Sequence, residues 1–212
     1  MERGEEIRSF KVRAGRLGPA SRDAMERLWP LHGVTPPYDG LVRDRPLVLE
    51  IGSGMGEATA AMALADPGTD LLAVEVHPAG VAALLRRVEQ YGLTNVRVVQ
   101  DDVVPVLDAL PERSLAEVRL FFPDPWPKAR HAKRRLLRPS FAALAATRLA
   151  DGARLHLATD WPAYVEHALD VLADGWVARV VDRPSHRPVT RFEQQGLDAG
   201  RPITDVYATP HR

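Results

Sequence analysis

The chain contains no cysteine, so disulfide bonds, thiolate nucleophiles and cysteine-based metal sites are excluded. Its formal net charge is zero, which excludes a global electrostatic attraction to nucleic acid. No hydrophobic run approaches the length of a transmembrane helix, and the charged first 16 residues lack the apolar core of a signal peptide. We therefore expect a cytoplasmic protein with no membrane partner and no metal ion, as either a monomer or a homodimer.

Lysine is scarce, with three residues against 25 arginines in a chain of 212. Positive charge is concentrated in three stretches, at 3–16, 128–138 and 179–191. No aspartate or glutamate occurs from Pro125 to Ala150. A basic run is usually a solvated face, so its meaning depends on what lies beside it in the fold.

The stretch FFPDPWPK over 121–128 joins an apolar run to this basic segment. The apolar run predicts a buried strand, which stops at Asp124. Because proline restricts its own φ and the residue before it, Pro125 and Pro127 should hold Asp124 and Trp126 extended. Ligands of open parallel sheets bind beyond the carboxyl ends of the strands. A rigid acid beside a basic run suggests chemistry on a base of a nucleic acid. Trp126 either stacks on that base or only shapes the pocket.

Strand and helix patterns alternate from Pro46 onward, which predicts right-handed βαβ units and a mostly parallel sheet. The predicted strands are 47–51, 71–76, 96–100, 117–122, 154–159, 177–181 and 204–209. The predicted helices are 21–29, 57–65, 79–91, 103–110, 139–149 and 162–173. The last two strands predict an antiparallel pair at one edge, joined by a long loop over 182–202. We expect one α/β domain over 21–212, with a seven-stranded sheet covered by helices on both faces, after a flexible arm over 1–20.

The first predicted strand runs into a glycine-rich turn. Gly52, Gly54 and Gly56 allow a sharp turn and close approach of a ligand, but their spacing departs from the dinucleotide pattern G-x-G-x-x-G. Glu57 would place negative charge where a pyrophosphate binds a helix N-terminus, which disfavours a nicotinamide dehydrogenase. Glu50, just inside the strand end, suits a cationic ligand such as S-adenosylmethionine.

Carboxylates also follow the next strands in order. Glu75 ends the second strand and could accept hydrogen bonds from both hydroxyls of a bound ribose. Asp102 follows the third strand and either binds an adenine amino group or N-caps the next helix, a role that Asp101 could share. Asp160, in Ala-Thr-Asp-Trp-Pro, caps a helix, binds a ligand or does both. The predicted loop over 182–202 carries a further binding-site candidate at Thr190, Arg191, Phe192 and Glu193.

Together these motifs resemble the bacterial tRNA (guanine-N7)-methyltransferases, which are class I S-adenosylmethionine-dependent methyltransferases with a Rossmann-like fold. The resembling segments are LEIGSGMG, AVEVHP, DDVVPVL, FFPDPWPKARHAKRR, ATDW and TRFEQQG. The resemblance implies cofactor contacts at Glu50, Glu75, Asp102 and Asp124. It also implies substrate contacts at Lys128, Asp160 and Thr190–Glu193, with RNA along Arg130–Arg135.

The resemblance further implies the substrate, guanosine 46 in the variable loop of tRNA. Guanine N7 carries a lone pair and no proton, so the reaction needs orientation and charge stabilisation instead of a general base. We expect Asp124 to be the catalytic residue. The tRNA backbone would be held by Arg130, Lys133, Arg134 and Arg135. The alternatives are a class I methyltransferase acting on another RNA and a non-catalytic RNA-binding module on this fold.

Overall fold

The computed structural model describes Phe10 and residues 16–38, 40–42 and 44–211. The helices are α1 Pro19–His32, α2 Glu57–Ala65, α3 Pro78–Tyr91, α4 Val103–Ala109, α5 Pro139–Arg148, α6 Pro162–Leu172 and α7 Arg191–Asp198. The strands are β1 Gly33–Val34, β2 Leu47–Ile51, β3 Asp70–Val74, β4 Val96–Val99, β5 Leu115–Phe121, β6 Leu149–Thr159, β7 Trp176–Val181 and β8 Thr204–Pro210. A 3₁₀-helix covers Ala129–Arg134. Most of the predicted arm over 1–20 lies outside the described residues.

The strands form one sheet in the order β1-β4-β3-β2-β5-β6-β8-β7. Neighbouring strands are parallel except at β8, which runs antiparallel to both β6 and β7. The predicted α/β fold, with a mostly parallel sheet and an antiparallel strand near one edge, is confirmed. The structure adds an eighth strand, the two-residue β1 beside β4. It also places β8 one position in from the edge, because β7 pairs along its outer side.

Helices cover both faces of the sheet. The apolar sides of α1, α2 and α3 pack into one core, and those of α4, α5 and α6 pack into the core on the other face. Among the described residues, no helix is long and apolar enough to cross a membrane.

The strand register decides where the site forms. Ile51 of β2 pairs with Val74 of β3 on one side and with Leu120 of β5 on the other. The carboxyl ends of these three strands therefore meet at one edge of the sheet. The chain order reverses between β2 and β5, and such a switch point opens a crevice for ligands.

Helix α1 is longer than its sequence pattern predicted. It begins at Pro19 instead of Ser21, because proline in the first turn loses no helical hydrogen bond and already has a helical φ. Pro30, predicted to follow the helix, lies inside its last turn. Packing of α1 against α3 outweighs the one hydrogen bond that Pro30 cannot make.

The prediction of a long loop over 182–202 was wrong, because α7 forms within it. Thr190 caps the helix, and its hydroxyl accepts a hydrogen bond from the Glu193 N–H at 3.0 Å. The sequence did contain a signal for this helix, since Thr followed three residues later by Glu is the pattern of a capping box.

Candidate active site

A cavity of about 830 Å³ opens at the carboxyl ends of β2, β3 and β5. Four segments form most of its walls: the glycine turn after β2, the end of β3 with the first turn of α3, the motif after β5 and the first turn of α7. Predicted site residues on its lining are Glu50, Gly52, Gly54, Glu75, Asp124, Thr190, Arg191 and Phe192. The predicted site residues absent from that lining are Gly56, Asp102, Lys128, Arg130, Lys133, Arg134, Arg135, Asp160 and Glu193.

The glycines of the turn have two different roles. Gly52 and Gly54 line the cavity with positive φ angles of 75° and 56°, which favour glycine. Gly56 is the N-cap of α2, and a Cβ atom there would lie 2.8 Å from the Cβ of Leu84. Gly56 therefore permits close packing of α2 on α3 instead of contacting a ligand.

Glu50 is a buried carboxylate on the cavity wall, with 3% of its surface exposed. Its Oε2 atom has no hydrogen-bond partner among the described residues. Burial raises the pKa of this carboxyl, against the opposing influence of the Thr59 hydroxyl and the Arg119 guanidinium. A cationic ligand group would favour the ionised form, so this position fits the sulfonium and amino group of S-adenosylmethionine.

Glu75 organises the turn as well as lining the cavity. Its Oε2 atom accepts a hydrogen bond from the Gly54 N–H at 2.8 Å, and its Oε1 atom accepts one from the His77 N–H at 2.8 Å. A carboxylate oxygen can accept more than one hydrogen bond. Glu75 can therefore receive ribose hydroxyls while it ties the glycine turn to the start of α3.

Asp102 caps α4, since its Oδ1 atom accepts a hydrogen bond from the Val104 N–H at 2.9 Å. Asp101 does not share that role. Its Oδ2 atom accepts from the Tyr38 hydroxyl at 2.6 Å, and its Oδ1 atom accepts from the Asp102 N–H at 2.7 Å. The structure thus gives Asp102 a capping role and leaves its contact with adenine as a prediction.

The backbone around Asp124 adopts an uncommon conformation. Phe122 and Trp126 have φ angles of 50° and 44°, in the left-handed region that non-glycine residues rarely occupy. The prediction that Trp126 is extended was therefore wrong. Such conformations persist where surrounding packing imposes them, and they are frequent at functional sites. Between them, Asp124 is exposed on the cavity wall.

Trp126 lines the cavity, although only a small part of its side chain is exposed. Its side chain is buried, and the guanidinium carbon of Arg134 lies 4.9 Å from its ring centre. The His131 ring meets it edge-on with a centroid distance of 5.7 Å. Arg134 is consequently half-buried against Trp126, whereas Arg130 and Lys133 are exposed on the 3₁₀-helix.

Arg135 lies in a different environment from the exposed part of the basic run. It is buried, and its Nε atom donates a hydrogen bond to the carbonyl oxygen of Pro125 at 3.0 Å. Its Nη1 atom lies 3.5 Å from the carbonyl oxygen of Ala163 at the start of α6. The structure thus attaches this guanidinium to the loop that carries Asp124, and the contact of Arg135 with the tRNA backbone stays a prediction.

Two predicted substrate residues are engaged with arginines. Asp160 accepts a hydrogen bond from the Nε atom of Arg201 at 2.7 Å. Glu193 is 3% exposed and forms an ion pair with the buried Arg187. Helix α7 turns this carboxylate inward while Thr190, Arg191 and Phe192 line the cavity, and the contact of Glu193 with the substrate stays a prediction.

Sequence reasoning missed Gly80 and Arg187. Gly80, in the first turn of α3, lines the cavity. Arg187 is a buried arginine inside what the sequence presented as a polar loop. Only the spacing of the capping box could have pointed to ordered structure around Arg187, and no pattern in the sequence singles out Gly80.

One group of metal-ligand side chains occurs in the described part of the chain. It comprises Glu117, His156 and His186, whose candidate ligand atoms lie within 4.8 Å of one another. The Nη2 atom of Arg119 lies 3.2 Å from Glu117, and the Nε atom of Arg154 lies 3.6 Å from it. These two guanidinium groups already neutralise the carboxylate, so we assign no metal ion to this group.

Comparisons with known proteins agree with the geometry. A family model described as "Putative methyltransferase" matches residues 44–206. A tRNA (guanine-N(7)-)-methyltransferase from Streptomyces avermitilis is 48% identical over 216 residues, covering 94% of this chain and 74% of that protein. One from Nitrosospira multiformis is also 48% identical, covering 94% of this chain and 93% of that protein.

The fold is also found among solved structures. The precorrin-6Y C5,15-methyltransferase of Geobacter metallireducens superposes with a TM-score of 0.56 at 14% identity, covering 90% of this chain and 86% of that one. At this level of identity the likeness concerns the fold alone.

Proposed function

Since the chain belongs to the tRNA (guanine-N7)-methyltransferase family, we propose that it methylates N7 of guanosine 46 in the variable loop of tRNA. The cofactor is S-adenosylmethionine, which supplies a methyl group bound to a positively charged sulfur. One observation carries the proposal: Glu50, whose buried Oε2 atom has no hydrogen-bond partner among the described residues, and the exposed Asp124 line the same cavity. This arrangement supports a cation site at Glu50 and a base site at Asp124 in one crevice.

The cofactor end of the cavity would be held by Glu50, Glu75 and the glycine turn. Glu50 offers negative charge to the sulfonium and amino group, while Glu75 offers acceptor positions to the ribose hydroxyls. Close approach of the cofactor to the backbone is supported by the positive φ angles of Gly52 and Gly54.

At the base end, Asp124 orients guanine and stabilises the positive charge that moves onto the purine during methyl transfer. The nucleophilic N7 atom carries no proton, so no residue has to act as a general base. A carboxylate fixed near the developing charge lowers the barrier because it needs no reorganisation when the charge arrives. The rigid backbone on either side of Asp124 supports this role.

The tRNA backbone would be contacted by the exposed cations after the motif, namely Lys128, Arg130 and Lys133. Such contacts position the substrate and carry little sequence information. Arg134 can contribute from its half-buried position, and Arg135 is left out because its guanidinium is occupied.

Action on tRNA supports a cytoplasmic location for the reaction. We expect the protein to act as either a monomer or a homodimer.

The proposal is tested by incubating the protein with S-adenosylmethionine and a tRNA transcript, followed by mass spectrometry of the nucleosides. We expect 7-methylguanosine from the transcript with guanosine 46 and none from a transcript with adenosine at that position. Equal methylation of both transcripts would assign the activity to another guanosine. Cofactor binding by calorimetry without any methylated product would favour a non-catalytic RNA-binding module.

A further inference from the structure

We propose that Arg187 is a positioning residue for the substrate wall of the cavity, and that Glu193 acts through Arg187 without touching the base. The inference rests on the proposed function, because it concerns how that same cavity holds its substrate. It assigns a role to an arginine that lies outside the catalytic motifs.

Arg187 is held from two sides. Its side chain is fully buried, and its Nε and Nη2 atoms donate to the two carboxylate oxygens of Asp205 at 2.7 and 2.8 Å. Its Nη1 and Nη2 atoms donate to the two carboxylate oxygens of Glu193, the second at 3.3 Å. The planar guanidinium therefore bridges β8, which carries Asp205, and α7, which carries Glu193.

The same guanidinium faces the motif after β5. Its central carbon lies 5.8 Å from the ring centre of Phe121 and 5.8 Å from that of Phe122. Both rings line the cavity, as do Thr190 and Phe192 in the first turn of α7. Arg187 therefore contacts α7, the phenylalanines of the cavity wall and strand β8 at the same time.

In the first turn of α7, the carboxylate of Glu193 pairs with Arg187 instead of completing the helix cap. In a capping box, the glutamate three residues after the cap reaches back to the N–H of the cap residue. Here Thr190 makes its half of that arrangement, but the carboxylate of Glu193 turns to Arg187 instead. With 3% of its surface exposed, Glu193 has no free face to present to a base.

The charges around Arg187 explain why removing its guanidinium would change the position of the residues that line the cavity. Arg187 is the cation that Asp205 and Glu193 share, and Asp205 also contacts the Nε2 atom of His156 at 2.7 Å. Without Arg187, Glu193 would remain as a buried carboxylate with no cation, which is strongly unfavourable. Helix α7 would move to hydrate that group, and Thr190, Arg191 and Phe192 would move with it.

The test is a double-mutant cycle of Arg187→Met, Glu193→Gln and the double variant, with Arg179→Met as a matched control on exposed β7. The readouts are kcat, KM for tRNA, cofactor affinity by calorimetry and hydrogen exchange of the α7 amides. We expect Arg187→Met to raise KM for tRNA by roughly tenfold or more and to speed exchange in α7, with little change in cofactor affinity. The control should match the wild type.

The double variant discriminates between the two roles. If Glu193 acts through Arg187, adding Glu193→Gln to Arg187→Met removes the unpaired carboxylate, so KM should recover toward the wild-type value. If Glu193 contacts the base, the double variant should be worse than Arg187→Met by the full effect of Glu193→Gln alone, and the inference is overturned. Where Arg187→Met fails to fold, the neutral Arg187→Gln enters the same cycle, with the same two opposite expectations.

The outcome separates this inference from the proposed function. If the wild-type protein leaves guanosine 46 unmethylated, the proposed function fails, and exchange in α7 still reports whether Arg187 and Glu193 are coupled. If the wild type methylates guanosine 46 but the two substitutions are additive in KM and in exchange, only the role of Arg187 is refuted.

Discussion

Gly80 lies so close to the carbonyl oxygen of Gly54 that a Cβ atom on Gly80 would be 2.4 Å from it. The glycine turn after β2 and the first turn of α3 are therefore in backbone contact. The same hypothetical Cβ would lie 3.0 Å from the Cγ atom of Glu75, which also holds the Gly54 N–H. The shape of the cofactor end of the cavity depends on this close approach.

Gly80→Ala should weaken cofactor binding. Helix propensity alone would favour alanine by ~1 kcal/mol, but the added methyl group would displace the turn and the Glu75 carboxylate. We expect the affinity for S-adenosylmethionine, measured by calorimetry, to fall by roughly tenfold or more. Gly68→Ala is the control, since its Cβ would only make an ordinary contact at 3.5 Å with Asp66. Unchanged affinity in Gly80→Ala would show that the turn can shift at no expense to binding.

Asp124→Asn should keep the shape of the side chain but remove its charge. Turnover at saturating substrates should fall by ~10²–10³, the scale for losing one preorganised electrostatic group. Asp124→Ala should be slower still, because orientation of the base is lost as well. Single-turnover rates would check both, and an Asn variant as fast as the wild type would show that charge at this position is irrelevant.

Substitutions of exposed and of buried cations in the basic run should have different effects on the salt dependence of tRNA binding. Arg130→Ala and Lys133→Ala should each weaken tRNA binding and reduce the slope of log affinity against log salt by about one unit, if each contacts one phosphate. Arg135→Ala should leave that slope unchanged and instead lower turnover, because the Asp124 loop loses its anchor at Pro125. Filter binding across a salt series distinguishes the two, and a reduced slope in Arg135→Ala would return this residue to the RNA surface.

Glu117 should make the stability of the protein sensitive to acid. Burial alone would raise the pKa of its carboxyl, but the His156 ring and the Arg119 and Arg154 guanidiniums outweigh burial and lower the pKa to about 2. Because the folded-state pKa lies below the unfolded one, the stabilisation is complete above about pH 4.5 and is lost as the pH falls toward 2.

The loss of stability over that range should be about 3 kcal/mol at most, from ~1.4 kcal/mol per unit of pKa. Denaturant unfolding at pH 6 and pH 2 would measure it. Glu117→Gln should reduce the difference in the free energy of unfolding between the two pH values. An unchanged difference would assign the acid sensitivity to other carboxylates, such as Asp205.

The sequence by itself determined the fold class, the order of the elements other than β1 and α7, and the identity of most cavity-lining motifs. The alternation of apolar periods set the order of strands and helices, and parallel strands bring their carboxyl ends to one edge. Glu50, the glycine turn, Glu75 and Asp124 could therefore be placed together in advance. Each of them lies at or just beyond the carboxyl end of a strand, so local position was enough to place it at the site.

Only the tertiary structure decided which charged side chains are exposed. Arg135 pairs with the Pro125 carbonyl, and Glu193 pairs with Arg187, which in turn holds Asp205 on a strand that follows α7. The sequence does not distinguish these residues from their exposed neighbours, because the type of a charged residue does not indicate whether it contacts water or a buried ion. That choice depends on which elements pack against one another, because a charge can be buried only where the fold brings an opposite charge or a free backbone oxygen to meet it.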